Sequence, residues 1–217
     1  MKPLRFLITA GPTREFLDPI RYLTNRSSGK MGYAIAAACR KVSPHVTLVT
    51  GPVALPAPSN VKCVPVTTAA EMAREVFHRY AKADVVIMTA AVCDYRPRRV
   101  AGQKIKKTGK RLNLELEQTT DILLELGKRK RRQILVGFAA ETNDLERHAL
   151  DKLRRKQLDL IVANGARAFE ADTNRVTLFF ADGRVERLPE MTKQKVARQL
   201  LKRVLGLVAA RLTTWLP

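Results

Sequence analysis

Histidine, cysteine, aromatic and acidic residues are all scarce in this chain. Its 217 residues include three histidines, three cysteines and 6% aromatics. Cys39, Cys63 and Cys93 are odd in number and lack metal-ligand spacing, which disfavours a disulfide framework or a zinc site. Buried thiols in a reducing cytoplasm are the expectation. His45, His78 and His148 fit no Ser/His/Asp or Cys/His arrangement for nucleophilic catalysis. No apolar run reaches the roughly 18 to 20 residues that cross a bilayer. Met1-Lys2-Pro3-Leu4-Arg5 leads into a strand pattern rather than a signal peptide, so a cytoplasmic protein with no membrane partner is expected.

Acids number 20 against 40 lysines and arginines, a formal charge of +20. Clustered cations displace counterions from nucleic acid. Here, however, the basic residues spread along the whole chain, and the densest run, Lys128 to Arg132, has no interleaved aromatics to stack bases. A solvated basic surface on a protein that handles anionic metabolites is the better reading, and nucleic acid is not the expected partner. Length and an ordinary hydrophobic content of 46% suit one domain over 1–217.

Short apolar strand patterns at Leu4 to Thr9, Val46 to Thr50, Val85 to Thr89, Ile134 to Ala139 and Leu160 to Ala163 alternate with helical patterns. The helices are read at Lys30 to Lys41, Ala69 to Ala81 and Leu145 to Lys156. Thr68-Ala69-Ala70-Glu71 is a capping box that starts the second helix. This alternation predicts a Rossmann-like, doubly wound, mostly parallel α/β sheet with ligands at the carboxyl ends of its strands. Arg175 to Phe180 and Val185 to Leu188 flank Ala181-Asp182-Gly183 as a hairpin, and Met191 to Leu212 reads as a basic helix. Gly11 to Ser28, Gly51 to Asn60 and Arg96 to Arg111 have loop character.

Thr24-Asn25-Arg26-Ser27-Ser28-Gly29-Lys30-Met31-Gly32 stands where the first helix begins. Unpaired N–H groups and the positive end of the helix dipole meet small hydroxyls and a lysine there, which suits a phosphate. It is not a Walker loop, because Thr24 and Met31 replace the required glycine and Ser/Thr. It is not a dinucleotide fingerprint either, since the first turn is Gly11-Pro12-Thr13 and the second strand ends in Thr50-Gly51. Asp94, in Ala90-Ala91-Val92-Cys93-Asp94-Tyr95-Arg96-Pro97, reads either as a turn cap or as an acceptor for an amine or ribose. The basic loop about 96–112 reads either as a solvated excursion or as a mobile lid over an anion.

These motifs, in order, resemble the phosphopantothenate–cysteine ligase family. The resemblance adds Thr9 to Glu15, Asp18-Pro19-Ile20-Arg21, Lys104-Ile105-Lys106-Lys107, Val136 to Thr142 and Asp159 to Asn164, and it spans Ile8 to about Leu188. It implies a dimeric ligase of coenzyme A synthesis that uses Mg²⁺ and CTP, with ATP as the other candidate nucleotide. In that chemistry 4′-phosphopantothenate is activated as an acyl-nucleotide, which L-cysteine then converts to 4′-phosphopantothenoylcysteine. Because the chain opens at the first strand, a stand-alone ligase is expected.

By the same resemblance, Asn25 contacts the acyl intermediate and donates to its developing oxyanion, and Lys104 supports acyl-nucleotide formation. Arg21 binds the phosphopantothenoyl part, across a dimer interface, and Ala91 lies against the intermediate. Ser27, Ser28, Gly29, Ala90, Asp94, Lys104, Thr120, Asp121, Ile122, Leu123, Phe138, Lys152 and Lys156 are the expected nucleotide contacts, with Thr120 capping the next helix. Thr119-Thr120 departs from the family's Asn-Pro. The metal ligands are not assigned, and the hairpin about 175–188 is a candidate dimer contact. A basic nucleotide- or nucleic-acid-binding protein without catalysis is the alternative reading.

Overall fold

The computed structural model describes residues 2–107, 109, 111–141, 144–165 and 171–213. Thr108 and Lys110 of the expected lid, and Thr142 of the fourth added motif, therefore lie outside the described residues. An eight-stranded sheet organises the molecule, built from β1 (Arg5–Ala10), β4 (His45–Thr50), β5 (Lys62–Pro65), β6 (Val85–Met88), β9 (Ile134–Glu141), β10 (Leu160–Gly165), β11 (Thr173–Phe180) and β12 (Val185–Thr192). Their spatial order is β12-β11-β10-β9-β6-β1-β4-β5. The six strands from β5 to β10 in that order pair in parallel, and β11 and β12 close one edge as an antiparallel hairpin.

Side chains alternate across the parallel strands, so each face receives its own set. Phe6, Ile8, Val85, Ile87, Ile134 and Val136 pack beneath α1 (Lys30–Arg40) and α5 (Lys193–Thr213). Leu7, Val86, Leu135 and Ile161 face the other way, under α2 (Ala69–Tyr80), α3 (Ile122–Lys128) and α4 (Leu145–Arg155). Burial on both faces is what favours continuous apolar strands over alternating ones. The predicted doubly wound α/β class is the observed one. The capping box is present as read, with Thr68 Oγ1 accepting from Glu71 N at 3.1 Å and the Glu71 carboxylate accepting from Thr68 N.

One segment read as a loop contains a small antiparallel pair, and a second pair brackets the loop read at Arg96 to Arg111. Within Gly11 to Ser28, β2 (Arg14–Phe16) pairs with β3 (Tyr22–Thr24). β7 (Tyr95–Pro97) pairs with β8 (Leu116–Gln118), which closes the base of the expected lid. Strands of three residues leave no periodic pattern in sequence, and both pairs need tertiary partners to exist. β5 escaped the sequence reading because its outer side has no neighbour and its residues are only partly buried. The helix after Thr120 begins one residue later than expected: Asp121 is its N-cap and accepts from Leu124 N at 3.0 Å. A carboxylate is the better partner for the positive helix end.

Candidate functional site

β1 lies between β4 and β6, so the chain leaves β1 in one direction and later returns on its other side. In open α/β sheets that reversal opens a crevice at the carboxyl ends of the strands. Here the crevice is braced by backbone bonds beyond the regular sheet. Ala91 N donates to Gly11 O at 2.9 Å, and Thr13 N donates to Ala91 O at 3.2 Å. Buried Thr9 accepts from the N–H groups of Thr89 and Ala90 through its hydroxyl, and buried Thr13 accepts from Cys93 N at 2.9 Å. Cys93 is packing, as read, with burial raising its thiol pKa.

Asn25 enters this frame from the end of β3. Its Nδ2 donates to Ala91 O and Val92 O, each at 3.1 Å. Both amide hydrogens are therefore engaged by backbone carbonyls in this arrangement, and donation to an oxyanion would draw on one of them. The side-chain atom left to face a ligand is the carbonyl oxygen, an acceptor.

The start of α1 forms one wall of a cavity of about 310 Å³, lined by Asn25 to Gly32, Thr89 to Val92, Phe138, Ala140, Asn164, Asn174 and Lys193. Gly29 is the N-cap at φ 73°, in the left-handed region that glycine adopts freely, and it supplies no side-chain cap. Gly32 lets the helix approach the strands: a Cβ there would come within 2.5 Å of both Ala10 Cβ and Thr89 Oγ1. The turn is therefore the N-terminus of α1, with Ser27, Ser28 and Gly29 along the cavity wall. Lys30 is not aimed solely at it, since its Nζ pairs with Asp172 at 2.6 Å.

The sequence reading missed the opposite wall. Lys193, the first residue of α5, is buried against this cavity. Burial lowers its pKa, the neighbouring charge of Lys30 lowers it further, and Asp172 opposes them. Asn174 is buried beside it, and its Oδ1 accepts no hydrogen bond among the described residues. Both residues come from the C-terminal third, whose local sequence carries no phosphate motif. The one available signal was Thr192 ahead of a helical pattern, and Thr192 Oγ1 does cap α5 by accepting from Lys195 N at 3.3 Å.

A second cavity of about 480 Å³ shares Ala90, Val92 and Phe138 with the first. Met88, Asp94, Tyr95, Gln118 to Leu123, Lys152, Arg155, Lys156 and Ile161 complete it. Lys156 Nζ pairs with Asp121 at 2.9 Å. Burial alone would raise the Asp121 carboxyl, but that lysine and Leu124 N bring it below its ordinary value. Thr119, which replaces the family's asparagine, ties the loop down: its N–H donates to Asp94 O at 2.9 Å and its hydroxyl to Cys93 O at 2.6 Å.

Ser27, Ser28, Gly29, Asn25 and Ala91 thus line the first cavity. Asp94, Thr120, Asp121, Ile122, Leu123, Lys152 and Lys156 line the second, and Ala90 and Phe138 line both. Arg21 and Lys104 line neither. Arg21 is held by Asp18 and by the carbonyl of Ile105, next to Lys104. Among the described residues no three His, Cys, Asp or Glu side chains gather as a metal site.

A doubly wound α/β protein with two joined polar cavities at its strand crossover is the class this geometry defines. The chain belongs to the DNA/pantothenate metabolism flavoprotein C-terminal domain family, whose model matches residues 1–207. It is 50% identical over 206 residues to the coenzyme A biosynthesis bifunctional protein CoaBC of Bacillus subtilis, covering 93% of this chain and 51% of that protein. Against the Escherichia coli K12 protein of the same name it is 45% identical over 209 residues, again covering 93% and 51%. The chain therefore spans about half the length of these curated relatives. The crystal structure of the C-terminal domain of a CoaBC protein superposes with a TM-score of 0.84 at 46% identity, covering 95% of this chain and 96% of that one.

Proposed function

We propose that this chain is a phosphopantothenate–cysteine ligase of coenzyme A biosynthesis, working through an acyl-nucleotide. The observation that carries the reading is the junction of the two cavities at Ala90, Val92 and Phe138, with Asn25 beside it. One ligand can then span a nucleotide compartment and an anion compartment. The half-length match to proteins named for coenzyme A biosynthesis supports the same chemistry.

In this reading the nucleoside sits in the second cavity. Asp94 accepts from its sugar or base, the Thr119–Leu123 turn borders it, and Lys152 and Lys156 offset its negative charge. The phosphates reach toward the first turn of α1, with Ser27, Ser28 and the Gly29 turn as donors. The phosphopantothenate carboxylate attacks the α-phosphorus, forming an O–P bond as the bond to pyrophosphate breaks. Lys104 offsets the charge that develops there. The acyl-nucleotide then lies against the Ala91 backbone. The cysteine amine attacks the acyl carbon, the new C–N bond replaces the C–O bond, the nucleoside monophosphate leaves with that electron pair, and the amine sheds a proton. Asn25 Oδ1 suits the amine's N–H in this step, which revises the oxyanion role to one of orienting the nucleophile.

Among the described residues no cluster of acids, histidines or cysteines forms a metal cage. Mg²⁺ keeps most of its waters and is held largely by substrate phosphates, so it belongs here with the incoming nucleotide and not with a resident site. CTP is favoured over ATP because the named relatives are bacterial. A cytoplasmic homodimer completes the proposal. No helix of the described residues is long and apolar enough to cross a membrane.

The test is pyrophosphate release with Mg²⁺, phosphopantothenate and either CTP or ATP, with and without cysteine. Release that requires phosphopantothenate, with amide product only after cysteine is added, is the expected result and names the nucleotide. No release with either nucleotide overturns the ligase reading in favour of a noncatalytic anion binder.

A further inference from the structure

Asp18 is a fully buried carboxylate to which the proposed chemistry gives no part, and its bonds reach across the molecule. Oδ1 accepts from the N–H groups of Ile20 at 2.9 Å and Arg21 at 2.8 Å, which closes the tip of the β2–β3 hairpin. Oδ2 accepts from Arg21 Nε at 2.9 Å, from Arg21 Nη2 at 2.5 Å, and from Ile105 N at 3.1 Å, 87 residues away. Arg21 Nη2 returns to Ile105 O at 2.7 Å. The peptide groups of Ile105 are therefore gripped from both sides, and Ala101 N adds a bond to Leu17 O at 3.0 Å. Burial by itself would raise the Asp18 carboxyl. The guanidinium and the three N–H donors overcome this and hold it well below the usual carboxylate range.

The same hairpin ends at Thr24, whose hydroxyl donates to Thr13 O at 2.7 Å, and the next residue is Asn25. One short hairpin thus plants Asn25 in the cavity at its base and grips the neighbour of Lys104 at its tip. We propose that Asp18 is a positioning residue: through Ile105 it fixes the Lys104–Lys107 segment relative to Asn25, so that both proposed catalytic side chains are set by one rigid element. The inference uses the ligase reading for its kinetic half only.

Hydrogen exchange supplies the other half. In the wild type the Ile105 amide is expected to be protected by its bond to Asp18, although its segment has no regular secondary structure. Asp18→Asn removes the negative charge and, in either amide orientation, sets an N–H₂ against N–H donors, and the Ile105 amide is expected to exchange faster by about an order of magnitude or more, since only local bonding protects it. Ile105→Pro removes the donor itself, leaves the buried carboxylate in place, and serves if the first variant folds poorly. With either variant, kcat for pyrophosphate release falls about tenfold to a hundredfold, in line with misplacing a catalytic group, while KM for the nucleotide stays within about twofold, because no nucleotide-cavity residue has changed.

Wild-type-like exchange at Ile105 in Asp18→Asn overturns the clasp whatever the enzyme's activity. Faster exchange with unchanged kcat in both variants overturns the positioning role. A wild type that releases no pyrophosphate overturns the ligase reading, while exchange still decides the clasp.

Discussion

The two ends of the central sheet carry the same chemistry to different purposes. At the amino ends of the strands, cations are consumed in brackets. Asp84 accepts from Arg5 N at 2.8 Å and pairs with Arg5 and Arg132. Asp159 accepts from Leu135 N at 2.7 Å and pairs with Lys130 and Arg211. Lys128 and Arg129 meet Glu125. Four members of the Lys128 to Arg132 run, which looked most like a nucleic-acid patch, are thus paired, two locally with Glu125 of α3 and two with acids at the strand starts. At the carboxyl ends the polar groups instead surround open volume: a helix start without a side-chain cap, a buried lysine, and an asparagine oxygen with no hydrogen-bond partner among the described residues. Charge density in the sequence did not distinguish the two ends, and neither does pairing, since Lys30 and Lys156 at the carboxyl end also meet acids; what distinguishes them is whether the polar groups border open volume.

If this contrast holds, substitutions at the carboxyl end change activity at constant stability, and those at the amino end do the reverse. The largest effect is expected for Asn25→Ala, which should lower amide formation about a hundredfold or more, the scale of losing one oriented polar group in an active site. Product formation by mass, with unfolding midpoints alongside, checks it. A loss of stability matching the loss of rate would break the contrast.

Next is Asp159→Ala, which strands Lys130 and Arg211 and leaves Leu135 N unpaired. It should cost about 2 to 4 kcal/mol in denaturant unfolding with kcat unchanged. A changed kcat in the folded protein would extend the site to the far end of the sheet.

Lys193 sharpens the comparison through pH. Its folded pKa lies below the ordinary lysine value of 10.5, so between the two values the unfolded chain binds more protons than the folded one. Stability contributed by this group therefore rises with pH through that window. Over the same range burial-raised thiols at Cys39, Cys63 and Cys93 pull stability down as pH rises, so urea unfolding from pH 8 to 10.5 should show the Lys193 contribution as a slope more positive in the wild type than in Lys193→Met. An unchanged slope would remove Lys193 from the buried positive wall. The smallest effect is expected for Arg98→Ala, whose ion pair with Glu115 is exposed on both sides. It should shift stability by less than about 1 kcal/mol, read by thermal melting.

Much of the framework could be read along the chain. β1, β4, β6, β9 and β10 are buried on both faces and so kept continuous apolar patterns. Thr68 and Glu71 formed their capping box from residues three apart, which any helix start brings together. Ser27 to Gly29 were legible as a helix N-terminus for the same reason, since that geometry is local. Legibility failed where a residue's role depends on something distant in sequence. Asp121 rather than Thr120 caps α3, in part because Lys156, 35 residues on, anchors its carboxylate. Three-residue strands such as β2 and β7 have too little pattern to announce themselves.

The sequence by itself determined the order of strands and helices and the identity of the turn beneath the first helix. Hydrophobic runs, caps and left-handed glycines act over a few residues, and their energies do not depend on what else the chain does. Tertiary structure alone decided which cations stay paired, how the Asn25 amide is oriented, and that Lys193 and Asn174 face the same cavity as Ser27. It also joined Asp18 to Ile105. Those outcomes rest on burial and on hydrogen bonds between segments tens of residues apart, and such bonds exist only once the crossover at β1 has brought their partners together.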